Sequence, residues 1–159
     1  MSAVFEQFAG EARAAVRAAL EEARQRGDRR LGTEHLLLGV LHARELAPLG
    51  EFGVELGRVR ATLADLDREA LAVVGVDVRG VERAPVPLSP KRTPLTSGAR
   101  SVLRRAVGAT RSGGGRRITP AHLMMAIVDA PHPDPAAEVL SELHVDREAV
   151  RVRLRQLPA

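Results

Sequence analysis

Apolar residues recur at helical rather than alternating spacing along most of this chain. Between Phe8 and Arg26 the positions Phe8, Ala12, Ala15, Val16, Ala19, Leu20 and Ala23 form one face, with Glu11, Arg13, Arg17, Glu21, Glu22, Arg24 and Arg26 outside. That pattern predicts an amphipathic helix, and Gly27 supplies its stop. Met1 to Gln7 reads as a short lead-in whose Phe5 either tucks against the helix or stands exposed for binding. The stretch Leu31-Gly32-Thr33-Glu34-His35-Leu36-Leu37-Leu38-Gly39-Val40-Leu41 is apolar on nearly every side. It predicts a central, buried helix from about Thr33 to Ala43, with Gly32 or Thr33 as its N-cap. A short helix or turn follows through Leu46, Leu49 and Phe52 to Gly53. The next helix turns Val54, Leu56, Val59, Leu63 and Leu66 inward and Arg58, Arg60, Asp65 and Asp67 outward. From about Val73 to Pro94 the pattern dissolves into Gly75, Gly80, Pro85, Pro87, Pro90 and Pro94, a linker in which the prolines exclude a long helix.

The pattern then starts again. At an offset of 87 residues Ala12 falls on Ala99, Arg13 on Arg100, Arg17 on Arg104, Ala19 on Ala106, Gly27 on Gly114, Arg29 and Arg30 on Arg116 and Arg117, and His35 on His122. The central stretch returns as Ile118-Thr119-Pro120-Ala121-His122-Leu123-Met124-Met125-Ala126-Ile127-Val128, with Thr119 capping a helix that has Pro120 in its first position. After a longer connection through Pro131, Pro133 and Pro135, Val54, Val59, Arg60, Leu63 and Leu66 fall on Val145, Val150, Arg151, Leu154 and Leu157. The expectation is an all-α fold of two tandem four-helix repeats, residues 1–72 and 95–159, joined by a linker at 73–94. Two repeats are too few for a solenoid, so they should pack as a pseudo-twofold pair around one core.

Composition narrows the class. With 45% hydrophobic residues the chain can bury a core, and with three Phe and neither Trp nor Tyr that core must be aliphatic. The absence of cysteine excludes a disulfide framework and thiolate metal sites, and fits a cytoplasmic protein. No run approaches the roughly 20 apolar residues of a membrane span, and the start does not read as a signal peptide. The net charge of +4 comes from arginine, Lys91 being the one lysine. Acidic residues interrupt the basic ones throughout, so no positive stripe for nucleic acid is evident.

Catalytic patterns are missing. Ser112-Gly113-Gly114-Gly115-Arg116 follows a helix and lacks the Lys-Ser/Thr of a phosphate-binding loop, so it reads as a turn. His35 and His122 sit in equivalent apolar helices without partners at metal spacing and read as imidazoles bonded to backbone. No serine has a nucleophile-elbow context, and no cofactor is expected.

The string Val4-Phe5-Glu6-Gln7-Phe8, the helix Glu11 to Arg26 and the stretch Leu31 to Gly39, with Pro94-Leu95-Thr96 opening a second copy, resemble the Clp N-terminal domain. This is the double Clp repeat of ClpC-type AAA+ unfoldases. The resemblance covers essentially the whole chain and implies two four-helix repeats that bind substrates and adaptor proteins in front of an ATPase ring. This chain ends at Ala159, where the first ATPase domain would be expected, which suggests a stand-alone paralogue or an excised domain. The resemblance also places a partner surface near the start of each repeat, at Val4, Phe5, Phe8, Leu88 and Leu95. Cyclic peptide antibiotics engage this region in actinobacterial members.

Members of that family can also recognise phosphoarginine. They do so with an acid of each Thr-Glu-His motif on the guanidinium and a Thr and an Arg at each repeat start on the phosphate. Here Glu34 keeps the first acid and Thr96 the second threonine. Ala9, Glu11, Gly98 and Ala121 replace the rest, and Glu11 would repel phosphate, so weak or absent phosphoarginine binding is expected. Glu34 has a local role available as well, stabilising its own helix dipole.

The sequence thus predicts a non-enzymatic module of the Clp protease system, recruiting or sequestering adaptors, protein substrates, peptides or cyclic-peptide ligands. The alternative is a basic nucleic-acid-binding or regulatory protein using Arg29, Arg30, Arg104, Arg105, Arg116 and Arg117. Salt discriminates the two, because phosphate-driven binding collapses as salt rises.

Overall fold

The computed structural model describes residues 6–87, 93–112 and 117–158. Their helices are α1 (Gly10–Arg26), α2 (Thr33–Val40), a 3-10 helix (Arg44–Phe52), α3 (Leu56–Val73), α4 (Ser97–Ser112), α5 (Pro120–Val128), α6 (Pro135–Glu142) and α7 (Arg147–Arg155). The fold is all-α, and the order of the first four elements is repeated by the last four. Gly27 ends α1 in the left-handed conformation at φ 76°, its N–H returning to the carbonyls of Ala23 and Arg24. Thr119 caps α5 ahead of Pro120, and Asp134 caps α6 ahead of Pro135 with its carboxylate on the N–H groups of Ala136 and Ala137.

Helix α2 stops at Val40, short of the expected Ala43. The N–H groups of His42 and Ala43 return to carbonyls three residues back, and the chain passes into the 3-10 helix. Helix α3 runs beyond the apolar face read from the sequence and ends at Val73, where the side chain is 87% exposed. Past it, the chain turns back across the end of α1. The Val86 N–H donates to the Arg24 carbonyl at 3.1 Å, and Arg83 meets Asp28 at 2.9 Å.

Helices α2 and α5 lie at the centre. Leu36, Leu37 and Leu38 of the first and Leu123, Met124 and Ile127 of the second belong to one cluster with Phe8, Leu31, Ile118 and Leu140. Two pairs of short extended segments knit the repeats into this core. The Leu31 N–H donates to the Pro94 carbonyl and the Thr96 N–H returns to the Leu31 carbonyl, at 2.9 and 3.0 Å. In the mirror arrangement the Ile118 N–H donates to the Gln7 carbonyl and the Ala9 N–H to the Ile118 carbonyl, at 2.8 and 2.9 Å. The start of each repeat is therefore pinned to the segment entering the other repeat's central helix, at a Leu31–Leu95 seam and a Phe8–Ile118 seam.

Two assignments made from the sequence are corrected here. Glu22, placed on the outer face of α1, is only 5% exposed. It is held by His42 and Arg60, which reach it from the end of α2 and from α3. Burial alone would raise its pKa, but the hydrogen bonds and charges of Arg60 and His42 outweigh burial and hold the carboxyl below its usual range. Phe8, placed with the partner surface, is 0% exposed and belongs to the core, because the Phe8–Ile118 pairing points it inward between the repeats.

Candidate functional site

The two seams are where the family resemblance sets its ligand groups, and each begins with a histidine that organises a helix entry. His35 is 1% exposed; its Nδ1 accepts the Gly32 N–H at 2.9 Å. The neutral ring therefore carries its proton on Nε2, which donates to Asp28 Oδ2 at 2.9 Å. Burial pushes the Asp28 carboxyl up, but His35, Arg26 and Arg83 together bring it below its usual value. His122 repeats the first half of this arrangement, its Nδ1 accepting the Thr119 N–H at 3.1 Å. Desolvation lowers its pKa and favours the neutral ring. Both imidazoles are helix caps, with the acceptor nitrogen already occupied, and neither is placed to act as a base. Among the described residues no group of three His, Asp or Glu could hold a metal ion. No helix among them is long and apolar enough to cross a membrane.

At the Leu31–Leu95 seam, Leu95 is half-buried, and the Thr96 hydroxyl accepts the Ala99 N–H at 3.1 Å, capping α4. Glu34 lies on the first turn of α2 with its carboxylate folded back over Gly32, where an added Cβ would come within 2.2 Å of Oε2. That position favours the helix dipole. Its Oε2 is nonetheless buried, with no hydrogen-bond partner among the described residues. Where the family pattern carries an arginine stands Gly98, and its surroundings leave little room for a side chain. A Cβ there would sit 2.9 Å from Asp134 Oδ2 and 3.2 Å from the Thr33 methyl.

The Phe8–Ile118 seam has a different electrostatic character. Ala121, standing at the position of the family's second acid, gives its N–H to Glu45 Oε1 at 2.9 Å. Burial, with Glu11 alongside, pushes the Glu45 carboxyl up. Two carboxyl groups thus occupy the place where the family pattern would supply positive charge. Val4, Phe5 and Leu88, the remaining partner-surface positions, lie outside the described residues.

Two features were not visible in the sequence. Asp134 Oδ1 accepts the Thr33 hydroxyl at 2.8 Å, tying the N-terminus of α6 to that of α2 across 101 residues. The Asp134-Pro135 pair announces a helix start, but nothing announces its partner. Arg105, counted among the surface arginines of the nucleic-acid alternative, instead turns inward. It donates to the Ala126 carbonyl and to the Ser101 hydroxyl, each at 2.9 Å, and so closes the end of α5.

Comparison with known proteins agrees with this architecture. Residues 7–143 match the family model of the Clp repeat (R) N-terminal domain. The chain is 34% identical over 146 residues, 91% of its length, to the rice (Oryza sativa subsp. japonica) chaperone protein ClpD2, chloroplastic, of which it spans 14%. The N-terminal domain of ClpD from Arabidopsis thaliana has a TM-score of 0.71 at 21% identity, covering 95% of this chain and 96% of that one. The Hsp104 N-terminal domain from Candida albicans has a TM-score of 0.65 at 15% identity, covering 94% and 90%. At those identities the two structures speak for the fold, while the sequence matches speak for descent. The chain belongs to the Clp repeat N-terminal domain family.

Proposed function

We propose that this domain is a non-catalytic binding module of a Clp-type chaperone system. It recruits or sequesters protein substrates or adaptors through the surface around the repeat starts. The observation that carries the reading is the family match over residues 7–143. Two features of the seams support it. Both histidines are spent on capping helices, and the backbone pairing at Leu31–Leu95 leaves Leu95 half-buried. The partner surface consists of Val4, Phe5 and Leu88 with Leu95, Thr96 and Glu34. Phe8 is removed from it by burial.

Of these residues Phe5 is the strongest anchor, because fully burying a Phe is worth about 1.5 to 3 kcal/mol. Wild type and Phe5→Ala are compared by fluorescence anisotropy for binding to a labelled, permanently unfolded protein, to Clp adaptors and to cyclic peptides. Wild type should bind, and Phe5→Ala should bind about tenfold more weakly or worse with an unchanged melting temperature. Equal binding by the two proteins removes Phe5 as the anchor. Absence of binding by wild type to every one of these partners removes the module reading.

A further inference from the structure

The Leu31–Leu95 seam brings together two arginines from opposite repeats. Arg30 Nη2 lies 3.5 Å and Arg100 Nη2 3.3 Å from the same carbonyl oxygen, that of Leu95. Both side chains are exposed, and neither forms an ion pair with any described carboxylate. This sets them apart from Arg24, Arg26, Arg60, Arg83, Arg151 and Arg153, each of which meets an acid. The acids nearest in sequence do not neutralise them. Glu34 is folded onto Gly32, and Asp28 is shared by His35, Arg26 and Arg83. Two like charges directed at one neutral acceptor repel each other, and a single carbonyl satisfies few of their ten N–H donors.

We infer that Arg30 and Arg100 form a receptor for carboxylates of acidic segments in partner proteins, seated at the Leu31–Leu95 seam beside half-buried Leu95. The inference rests on the protein-binding reading above and adds the chemistry of the partner. A guanidinium takes a carboxylate through two parallel N–H···O bonds, and a pair of guanidiniums held by different repeats takes neighbouring Asp or Glu side chains. Leu95 offers apolar contact next to the charges, the mixture that protein interfaces use and that backbone-tracking nucleic-acid sites do not need. The doubled register puts Arg13 and Arg117 at corresponding positions of the other seam. Glu45, on the Ala121 N–H with Glu11 alongside, adds two carboxyl groups at that second seam, and we therefore assign the receptor to the first.

The test uses the whole chain and three labelled probes: an unstructured peptide with six consecutive glutamates flanked by leucines, its glutamine counterpart, and a single-stranded oligonucleotide of equal charge. Wild type should prefer the glutamate peptide over the glutamine peptide by about tenfold or more at moderate salt. The double variant Arg30→Gln/Arg100→Gln should lose that preference, while Arg111→Gln, an exposed arginine at the end of α4, should keep it. Three results overturn the inference. In the first, wild type shows no preference; in the second, the loss in Arg111→Gln is as large as in the double variant; in the third, oligonucleotide binding falls with the pair as steeply as peptide binding. A fourth probe, the unfolded protein of the Phe5 experiment, separates the two readings. If wild type holds it while showing no preference for glutamate, the receptor fails and the module stands.

Discussion

Replacing Phe8 by Ala should lower the free energy of unfolding by about 3–5 kcal/mol, a large share of what holds a domain of this size together. Phe8 is fully buried, and the other large fully buried side chains among the described residues are Leu, Ile and Met. The void would open between the repeats, at the seam where the Ile118 backbone donates to Gln7 and accepts from Ala9, and would loosen the tie that holds this segment to the entry of α5. Urea denaturation followed by circular dichroism reads the loss directly. The contrast with Phe5→Ala, which should leave the melting temperature alone and weaken binding, separates a core aromatic from the anchor proposed three residues away. A loss below about 1 kcal/mol in Phe8→Ala would contradict the burial described here.

Gly39→Ala should be nearly as damaging, at about 2–3 kcal/mol, although Ala is favoured over Gly inside a helix by about 1 kcal/mol. Helix α2 crosses α1 here so closely that an added Cβ would lie 2.3 Å from the Ala15 carbonyl oxygen and 2.7 Å from both the Ala19 nitrogen and its Cβ. These are backbone atoms and a methyl carbon with no rotamer to move to, so the helices must separate along a contact that Leu36, Leu37 and Val40 share. The corresponding position in the second repeat is Ala126, itself buried, so α4 and α5 accommodate the methyl group that α1 and α2 exclude. Thermal unfolding of Gly39→Ala measures this. A variant as stable as wild type would mean that the helix preference outweighs the clash and that α1 and α2 yield.

Much of the fold is legible in the sequence because its determinants are local. The apolar spacing of α1, the Gly27 stop, the Thr119-Pro120 start and the 87-residue register are each contained in a few neighbouring residues or in a simple repetition. The interlocking of the repeats is not local. That Leu31 pairs with Leu95, Phe8 with Ile118 and Thr33 with Asp134 depends on which way each segment enters the core, and spacing carries no trace of it. The same limit explains Glu22 and Arg105. Both fall at polar positions of amphipathic helices, and both are turned inward by partners distant in the chain: Arg60 for the carboxylate and the end of α5 for the guanidinium.

The candidate site was legible to a lesser degree. The motif around Glu34 and the Thr96 start could be placed by resemblance, and Phe8 could be grouped either with the apolar face of α1 or with the partner surface; burial decides for the first. The convergence of Arg30 and Arg100 lay outside any motif, since 70 residues separate them and their meeting requires the Leu31–Leu95 pairing.

The binding proposed for this doubled Clp repeat takes place at the surface around its repeat starts. Hydrogen–deuterium exchange of the domain with and without saturating unfolded protein tests it most directly. Slower exchange is predicted in the chain start before α1, in residues 28–34 and in residues 93–99, with no change around the cleft of about 700 Å³ between the 3-10 helix and α7 that Phe52 and Val152 line. Protection confined to that cleft, or none anywhere under conditions where the unfolded protein is bound, would contradict the claim.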